Sequence, residues 1–378
     1  MKSPPTRRSR PPDPIDGPIR ARAGGAVARP VQGSGCESAG HVPPPTPDSG
    51  WSPLNTFLNL TFTGLVAGAI YGLFALGYTL VYGVLRLINF AHSEVFMWGS
   101  FAAVWVMTLL GSHEGMSTGP AIGFLVLALI AAMLVSGGVA LLVERVAYRR
   151  LREKKSPPLV ALISAIGASF MLSEIMGLRD KITGWVGLDG PLSKYVASAR
   201  ENTGFVNPLT NETLFHIGGF NVRSNQIIVL VAALVMMIAL DQFVRRSRLG
   251  RGVRAVSQDP EAAALMGVNQ KRVVQLTFFL GGLMAGAAAL LYVIHIGVTR
   301  YNVGFILGIK AFTAAVLGGI GNIRGALLGG VVLGLAENYG SQLFGSSWKD
   351  VVSFLLLVVV LLFRPTGILG ESLGKARA

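Results

Sequence analysis

The sequence predicts an all-α polytopic integral membrane protein, with about eight to ten transmembrane or half-spanning helices and one short cytoplasmic helix. Three observations carry this reading. Apolar runs long enough to cross a ~30 Å hydrocarbon core recur along most of the chain. The composition is 51% hydrophobic and only 14% charged, against about 25% charged residues in soluble domains, and the mean hydropathy is +0.55. Lys and Arg gather in short stretches between the apolar runs, notably Glu144–Lys155 and Arg245–Arg272. Positive-inside loops explain the formal net charge of +14 better than binding of nucleic acid. The single cysteine, Cys36, excludes an internal disulfide and any multi-cysteine metal site.

Taken in order, residues 1–53 are rich in Pro, Gly, Ser and Arg and hold too little apolar surface to fold. The Arg7-Arg8 pair is not followed by an apolar core and a cleavage site, so a secretory signal is not expected. This region reads as a cytoplasmic tail or as upstream sequence brought in by a mistaken start site. The membrane domain is expected over residues 54–370, with a cytoplasmic tail at 371–378. Phe57–Ala75 is a full span, and Gly77–Ile88 is too short for a straight crossing. Because the N-terminal side and Arg86 both read as cytoplasmic, two passages are expected between them, the second short or broken. Gly64, Gly68 and Gly72 recur every fourth residue, giving one smooth helix face for close packing.

A third run extends to Leu110. Further spans are expected at Ala121–Val143, Leu159–Gly177, Ile227–Leu240, Val273–His295, Gly304–Ile320, Gly325–Phe344 and Val351–Phe363. Between basic stretches on one side, the Leu178–Arg223 loop falls outside, and both chain termini fall in the cytoplasm. The glycine-rich run Gly318–Gly325 is too flexible for continuous helix. No Gly-Lys-Ser/Thr follows it, so it is no phosphate-binding loop.

The polar island Arg245–Arg272 carries start and stop signals for one short helix. Asp259 can cap free amides, Pro260 suits the first helical position, and Glu261 complements the positive end of the dipole. Ala262, Ala263 and Ala264 propagate it, and Gly267 supplies a left-handed stop. A helix of about two turns does not persist alone in water, so it must be held, and it suits docking against a soluble partner. Within the apolar regions, Asn89, His92 and Glu94 cluster between the second and third spans. They either line or gate a solute path or cap adjoining helix ends and bond one another. Glu174, His295, Lys310, Glu337 and Asn338 are isolated in sequence. Lys310 can pair with Glu337 across neighbouring helices or snorkel to the headgroups. With five histidines and no His-Glu-x-x-His, neither a metal site nor a catalytic set is expected.

Several of these stretches resemble one family. Glu261-Ala262-Ala263 followed by Gly267 is similar to the EAA loop of ABC importer permeases, although the Ile-x-Leu-Pro ending is absent. The form DPEAAALMGV resembles that of branched-chain amino-acid importer permeases. Ile88–Glu94, INFAHSE, resembles their INFAHGE signature, with Ser93 in place of Gly; a backbone angle reserved for Gly would be strained there. The resemblance returns in AFTAAVLGGIGNIRGALLGG, Ala311–Gly330, and in RPTGILG, Arg364–Gly370. It spans roughly Leu54–Gly370 and implies a LivH-type permease subunit of the bacterial inner membrane.

The resemblance further implies a docking helix for ATPases formed by Asp259, Pro260, Glu261, Ala262, Ala263 and Gly267, and a substrate path near Asn89, His92 and Glu94. The implied partners are a second, related permease chain, two cytoplasmic ATPases that carry ATP and Mg, a periplasmic solute-binding protein and membrane lipid. No cofactor on this chain and no nucleic acid are implied. Leucine, isoleucine and valine are the implied substrates, while related systems for urea or short amides look similar at this level. A stand-alone channel or secondary transporter fits the hydropathy but has no use for a capped cytoplasmic helix.

Overall fold

The computed structural model describes residues 53–154, 156–187, 199–209, 213–217, 220–364 and 366–370. The expectations for the N-terminal tail, for parts of the Leu178–Arg223 loop and for residues 371–378 lie outside the described residues. The helices are α1 (Pro53–Leu85), α2 (His92–Leu109), α3 (Thr118–Val143), α4 (Arg149–Glu153), α5 (Pro158–Gly177), α6 (Arg179–Val186) and α7 (Ser224–Arg246). They continue with α8 (Arg248–Gln258), α9 (Pro260–Leu265), α10 (Gln270–Ile296), α11 (Val303–Gly318), α12 (Ile323–Phe344) and α13 (Lys349–Phe363). Among the described residues, four short strands make two antiparallel pairs: β1 (Thr203–Gly204) with β4 (Val298–Thr299), and β2 (Thr213–Ile217) with β3 (Phe220–Arg223).

Among the described residues, six helical stretches are long and apolar enough to cross a membrane, and the bent pair α11–α12 brings this to seven. The helix α2 is shorter, with polar His92, Ser93 and Glu94 in its first turn, and packs inside the bundle against α3, α10 and α11. The apolar stretches of α1 and α10 are 89% and 83% buried, whereas those of α7 and α13 are 22% and 6% buried. So α1, α2 and α10 form the centre, and the outer helices turn their apolar faces to lipid.

The second, broken passage expected at Gly77–Ile88 is absent, because Gly77 lies inside one continuous 33-residue helix, α1. A glycine costs an interior helix turn only about 1 kcal/mol, whereas exposed backbone groups in hydrocarbon cost several times that. One passage therefore replaces two, which puts residue 53 and Arg86 at opposite ends of the bundle. The expectation that both lie on one side is corrected. The stripe Gly64, Gly68 and Gly72 does form a close seam, on α12. A Cβ at Gly330 would lie 2.4 Å from Gly72 Cα, and one at Gly334 would lie 2.4 Å from Gly64 O.

Glu144–Lys155, expected as a basic loop, is helical as far as Glu153. The helix α3 runs through one π turn, Glu144–Tyr148, into α4, since Pro157 is the first breaker beyond it. The buried Glu144 carboxylate accepts from Arg152 Nη2 at 3.1 Å. The glycine run behaves as expected: α11 stops at Gly318, Gly319 and Gly321 take φ of +102° and +100°, and α11 and α12 meet at 118°. Asn322 Oδ1 caps α12 by accepting from the amides of Arg324 and Gly325. Residues 366–370 close over this bend, with Ile368 N donating to Leu317 O at 2.8 Å and Leu369 N to Gly318 O at 3.0 Å.

At the opposite end of the bundle, the Leu178–Arg223 loop is tied down by Arg179. Its buried guanidinium donates to Met176 O and Ala199 O and stacks over Phe101, 4.7 Å from the ring centre. The β1–β4 pair and the Phe205 N to Gly297 O bond join the loop to the α10–α11 connection.

Candidate functional site

The polar island folds as a pair of helices, of which α9 is the one the sequence marks. Asp259 Oδ1 accepts from the amides of Glu261 (2.9 Å) and Ala262 (3.0 Å), and Pro260 takes the first helical position. Gly267 adopts φ +83°, the left-handed stop. Ala263 is buried, and Gln270 Nε2 donates to Pro260 O at 2.5 Å, so this short helix is held from its C-terminal side. Asp259, Pro260, Glu261, Ala262 and Gly267 stay exposed. At the tip, Leu265 and Met266 are 88% and 84% exposed.

The helix α8, within the same island, escapes a reading focused on Pro260. Its signals are Ser247, whose hydroxyl accepts from Gly250 N at 2.8 Å, and the apolar spacing of Val253 and Val256, both buried. Gly250 permits its close approach to α7, where a Cβ would meet Val244 O at 2.2 Å. Arg254 Nη1 then donates to the Val244 and Arg245 carbonyls at the C-terminus of α7, the favourable end of that dipole for a cation. Arg86 Nη2 reaches Gln258 O at 3.5 Å. The α8–α9 pair therefore touches the turn that leads into α2.

The side chains of Asn89, His92 and Glu94 are all buried and go to three different places. Asn89 Oδ1 accepts from the Tyr148 hydroxyl at 3.1 Å. His92 stands edge-on to Tyr78, 4.7 Å between ring centres, and over Gly77, where a Cβ would lie 2.2 Å from Nε2. Glu94 Oε1 accepts from Ser169 (3.3 Å) and Ser93 (3.4 Å). Its Oε2 faces Gly304 in the first turn of α11, where the helix dipole favours a carboxylate.

A cavity of about 150 Å³ lies beside this turn, walled by Tyr78, Phe90, Ser93, Ser169, Phe305 and Gly308 among others. The three residues singled out from the sequence do not line this cavity. Phe90 and Ser93, which stand between them, do line it, and Glu94 sits behind the wall, holding Ser169. Glycines at 304 and 308 let α11 rest on the Ser93 turn: their Cβ atoms would lie 2.4 Å from Ser93 O and Ser93 Cβ respectively. The wall residues from α5 and α11 are distant in sequence, and only the Gly304/Gly308 spacing on α11 announces them. Nor is Ser93 strained. It is an ordinary helical residue of α2, and the positive φ (+53°) among described non-glycine residues falls at Arg86.

Fold and sites together define a multi-pass membrane transport subunit, with a largely apolar cavity that carries a few hydroxyls and opens between helices, and a capped helix at its basic end. Among the described residues no three His, Cys, Asp or Glu side chains come together to hold a metal. Residues 60–361 match the family described as "Branched-chain amino acid transport system / permease component". The chain is 42% identical over 315 residues to the high-affinity branched-chain amino acid transport system permease protein BraD of Pseudomonas aeruginosa, covering 83% of this chain and 96% of that one. It is 40% identical over 318 residues to LivH of Escherichia coli K12, with the same two coverages, 83% and 96%. To the probable branched-chain amino acid transport permease protein LivH of Methanocaldococcus jannaschii it is 25% identical over 312 residues, 81% of this chain and 90% of that one. The chain belongs to this family of branched-chain amino acid transport permeases.

Proposed function

We propose that this chain imports leucine, isoleucine and valine across the bacterial inner membrane as one permease of an ATP-driven importer. The observation that carries the reading is α9: a capped, braced helix holding Leu265 and Met266 in the open at the basic end of the bundle. Apolar side chains so exposed beside a basic surface suit a protein partner. The positive-inside rule makes that end cytoplasmic, which places the Gly318–Gly321 bend there too. Residue 53 and the Leu178–Arg223 loop then face outward. Two ATPase subunits, carrying ATP and Mg, dock on Asp259–Gly267. A solute-binding protein delivers to the outer loops, and a second permease chain completes the path. This chain binds no cofactor and performs no covalent chemistry.

The cavity suits the substrate class. Hydroxyls of Tyr78, Ser93 and Ser169 stand beside the rings of Phe90, Phe170 and Phe305, a polar handle next to an apolar wall. At about 150 Å³ it is smaller than the ~300–1,000 Å³ typical of sites for drug-sized ligands, as befits one small solute. The bond from Arg86 to Gln258 O joins the docking end to the turn that bears Ser93. Motion imposed on α9 by ATPase closure thus reaches the cavity wall through one short turn.

The test is uptake of radiolabelled leucine into proteoliposomes that hold this chain with its ATPases, second permease and binding protein. Uptake that requires ATP and the binding protein, and is competed by isoleucine and valine, supports the proposal. ATP-driven uptake of urea or a short amide instead would keep the architecture and replace the substrate. Uptake by this chain alone would make it a channel or secondary transporter.

A further inference from the structure

One buried charge cluster belongs to neither site. Lys310 Nζ lies 2.7 Å from Glu337 Oε1 and 2.7 Å from Asp350 Oδ1. The Lys310 and Glu337 side chains are only 6% and 1% exposed, while Asp350 is half-exposed. Ser353 Oγ donates to Glu337 Oε2 at 3.4 Å, and the ammonium sits 5.8 Å from the centre of the Tyr71 ring. A single cation thus draws together α11, α12, α13 and α1. Lysines near span ends ordinarily snorkel to the headgroups. Lys310 instead stays at mid-helix among apolar neighbours, and burying such charges is costly unless something uses them.

The short helix α11 explains what that use is. It has 16 residues, begins at the cavity and ends at the Gly318–Gly321 bend, so neither end is fixed by a continuing helix. Phe305, Gly308 and Ile309 on this helix line the cavity, and Lys310 is the next residue along. Gly304 and Gly308 give close contact with Ser93 but no directional bond. Ile368 N and Leu369 N bond the Leu317 and Gly318 carbonyls at the C-terminus of α11, and the Lys310 ion pairs supply the directional attachment at mid-helix, beside the cavity. We infer that Lys310 is a positioning residue: through Glu337 and Asp350 it clamps α11 to α12 and α13 and so sets the cavity wall against Ser93. This rests on reading the cavity as the solute path. Loss of the ammonium would leave the buried Glu337 carboxylate without its counter-charge and break the mid-helix tie from α11 to α12 and α13.

Two readouts on the assembled complex test the inference. In uptake kinetics, Lys310→Met should raise KM for leucine at least about tenfold with the maximal rate changed less than about threefold, while Lys310→Arg stays close to wild type. In a Cys36→Ser background, Ile309→Cys should be modified by a water-soluble thiol reagent faster when Lys310→Met is added. Should Lys310→Met fail to assemble, Asp350→Asn, which alters the half-exposed partner, is expected to shift KM and labelling in the same directions. Wild-type KM and an unchanged labelling rate would overturn the clamp, as would a loss of assembled complex whose remaining molecules keep wild-type KM. If the unaltered complex imports no leucine, the functional reading fails, and the labelling comparison still decides the clamp.

Discussion

The α8–α9 island and the cavity beside Ser93 lie at the two ends of one short turn, yet they are built by opposite means. In the island the bonds that build its helices span ten residues or fewer: Asp259 to the Glu261 and Ala262 amides, Ser247 to Gly250, Gln270 to Pro260. Around the cavity the decisive contacts join residues far apart in the chain: Ser169 to Glu94, Gly308 to Ser93, Tyr148 to Asn89. Local capping chemistry can be rebuilt by a single suitable residue. A wall assembled by close backbone approach between distant helices cannot, because no side chain there is free to give way. The comparison therefore sorts mutations by where their damage should appear.

The largest effect is expected on the long-range side. Gly330→Leu would set a Cβ 2.4 Å from the Gly72 backbone, where α1 and α12 touch main chain to main chain. Its cost should exceed the about 1–3 kcal/mol of ordinary overpacking, and size-exclusion chromatography in detergent should show loss of the folded species. On the island, Gly267→Val forces a branched side chain into φ +83° at a cost of about 1–2 kcal/mol. The folded bundle should survive while ATP-driven uptake falls, and comparing thermal unfolding with uptake separates the two. Asp259→Ala removes one cap, worth about 0.5–2 kcal/mol, whereas Asp259→Asn should retain most of it; amide exchange over 260–265 reads the fraying. Smallest is Lys271→Ala, which breaks an exposed ion pair with Glu153 at 3.1 Å. Solvent screens such an exposed pair, so stability and its salt dependence should scarcely move.

The same division explains what the chain disclosed in advance. The cap, first turn and stop of α9 were legible because each signal acts within a few residues. The bend at Gly318–Gly325 and the Gly64–Gly68–Gly72 seam were legible as patterns, whereas the sequence left Lys310 open between pairing with Glu337 and snorkelling, and burial beside Glu337 decides for the pair. The second passage expected before Arg86 does not form: that expectation rests on placing the N-terminal side and Arg86 on one face, whereas Gly77 makes room for His92 and the helix continues to Leu85. The cavity wall stayed hidden because Ser169 on α5 and Gly308 on α11 meet Ser93 only after folding. Asn89, His92 and Glu94 drew notice as polar residues in apolar surroundings. Burial, rather than contact with the cavity, is what they have in common.

The central claim, that α9 transmits the work of ATP hydrolysis to this bundle, is tested most directly by Leu265→Asp/Met266→Asp in the assembled transporter. Both side chains are almost fully exposed, so the bundle should insert and fold unchanged. The measurement is leucine imported per ATP hydrolysed in proteoliposomes, beside the wild type. At least a tenfold fall in that ratio, or loss of ATPase binding with intact membrane insertion, is predicted. A wild-type ratio in the double variant would contradict the claim.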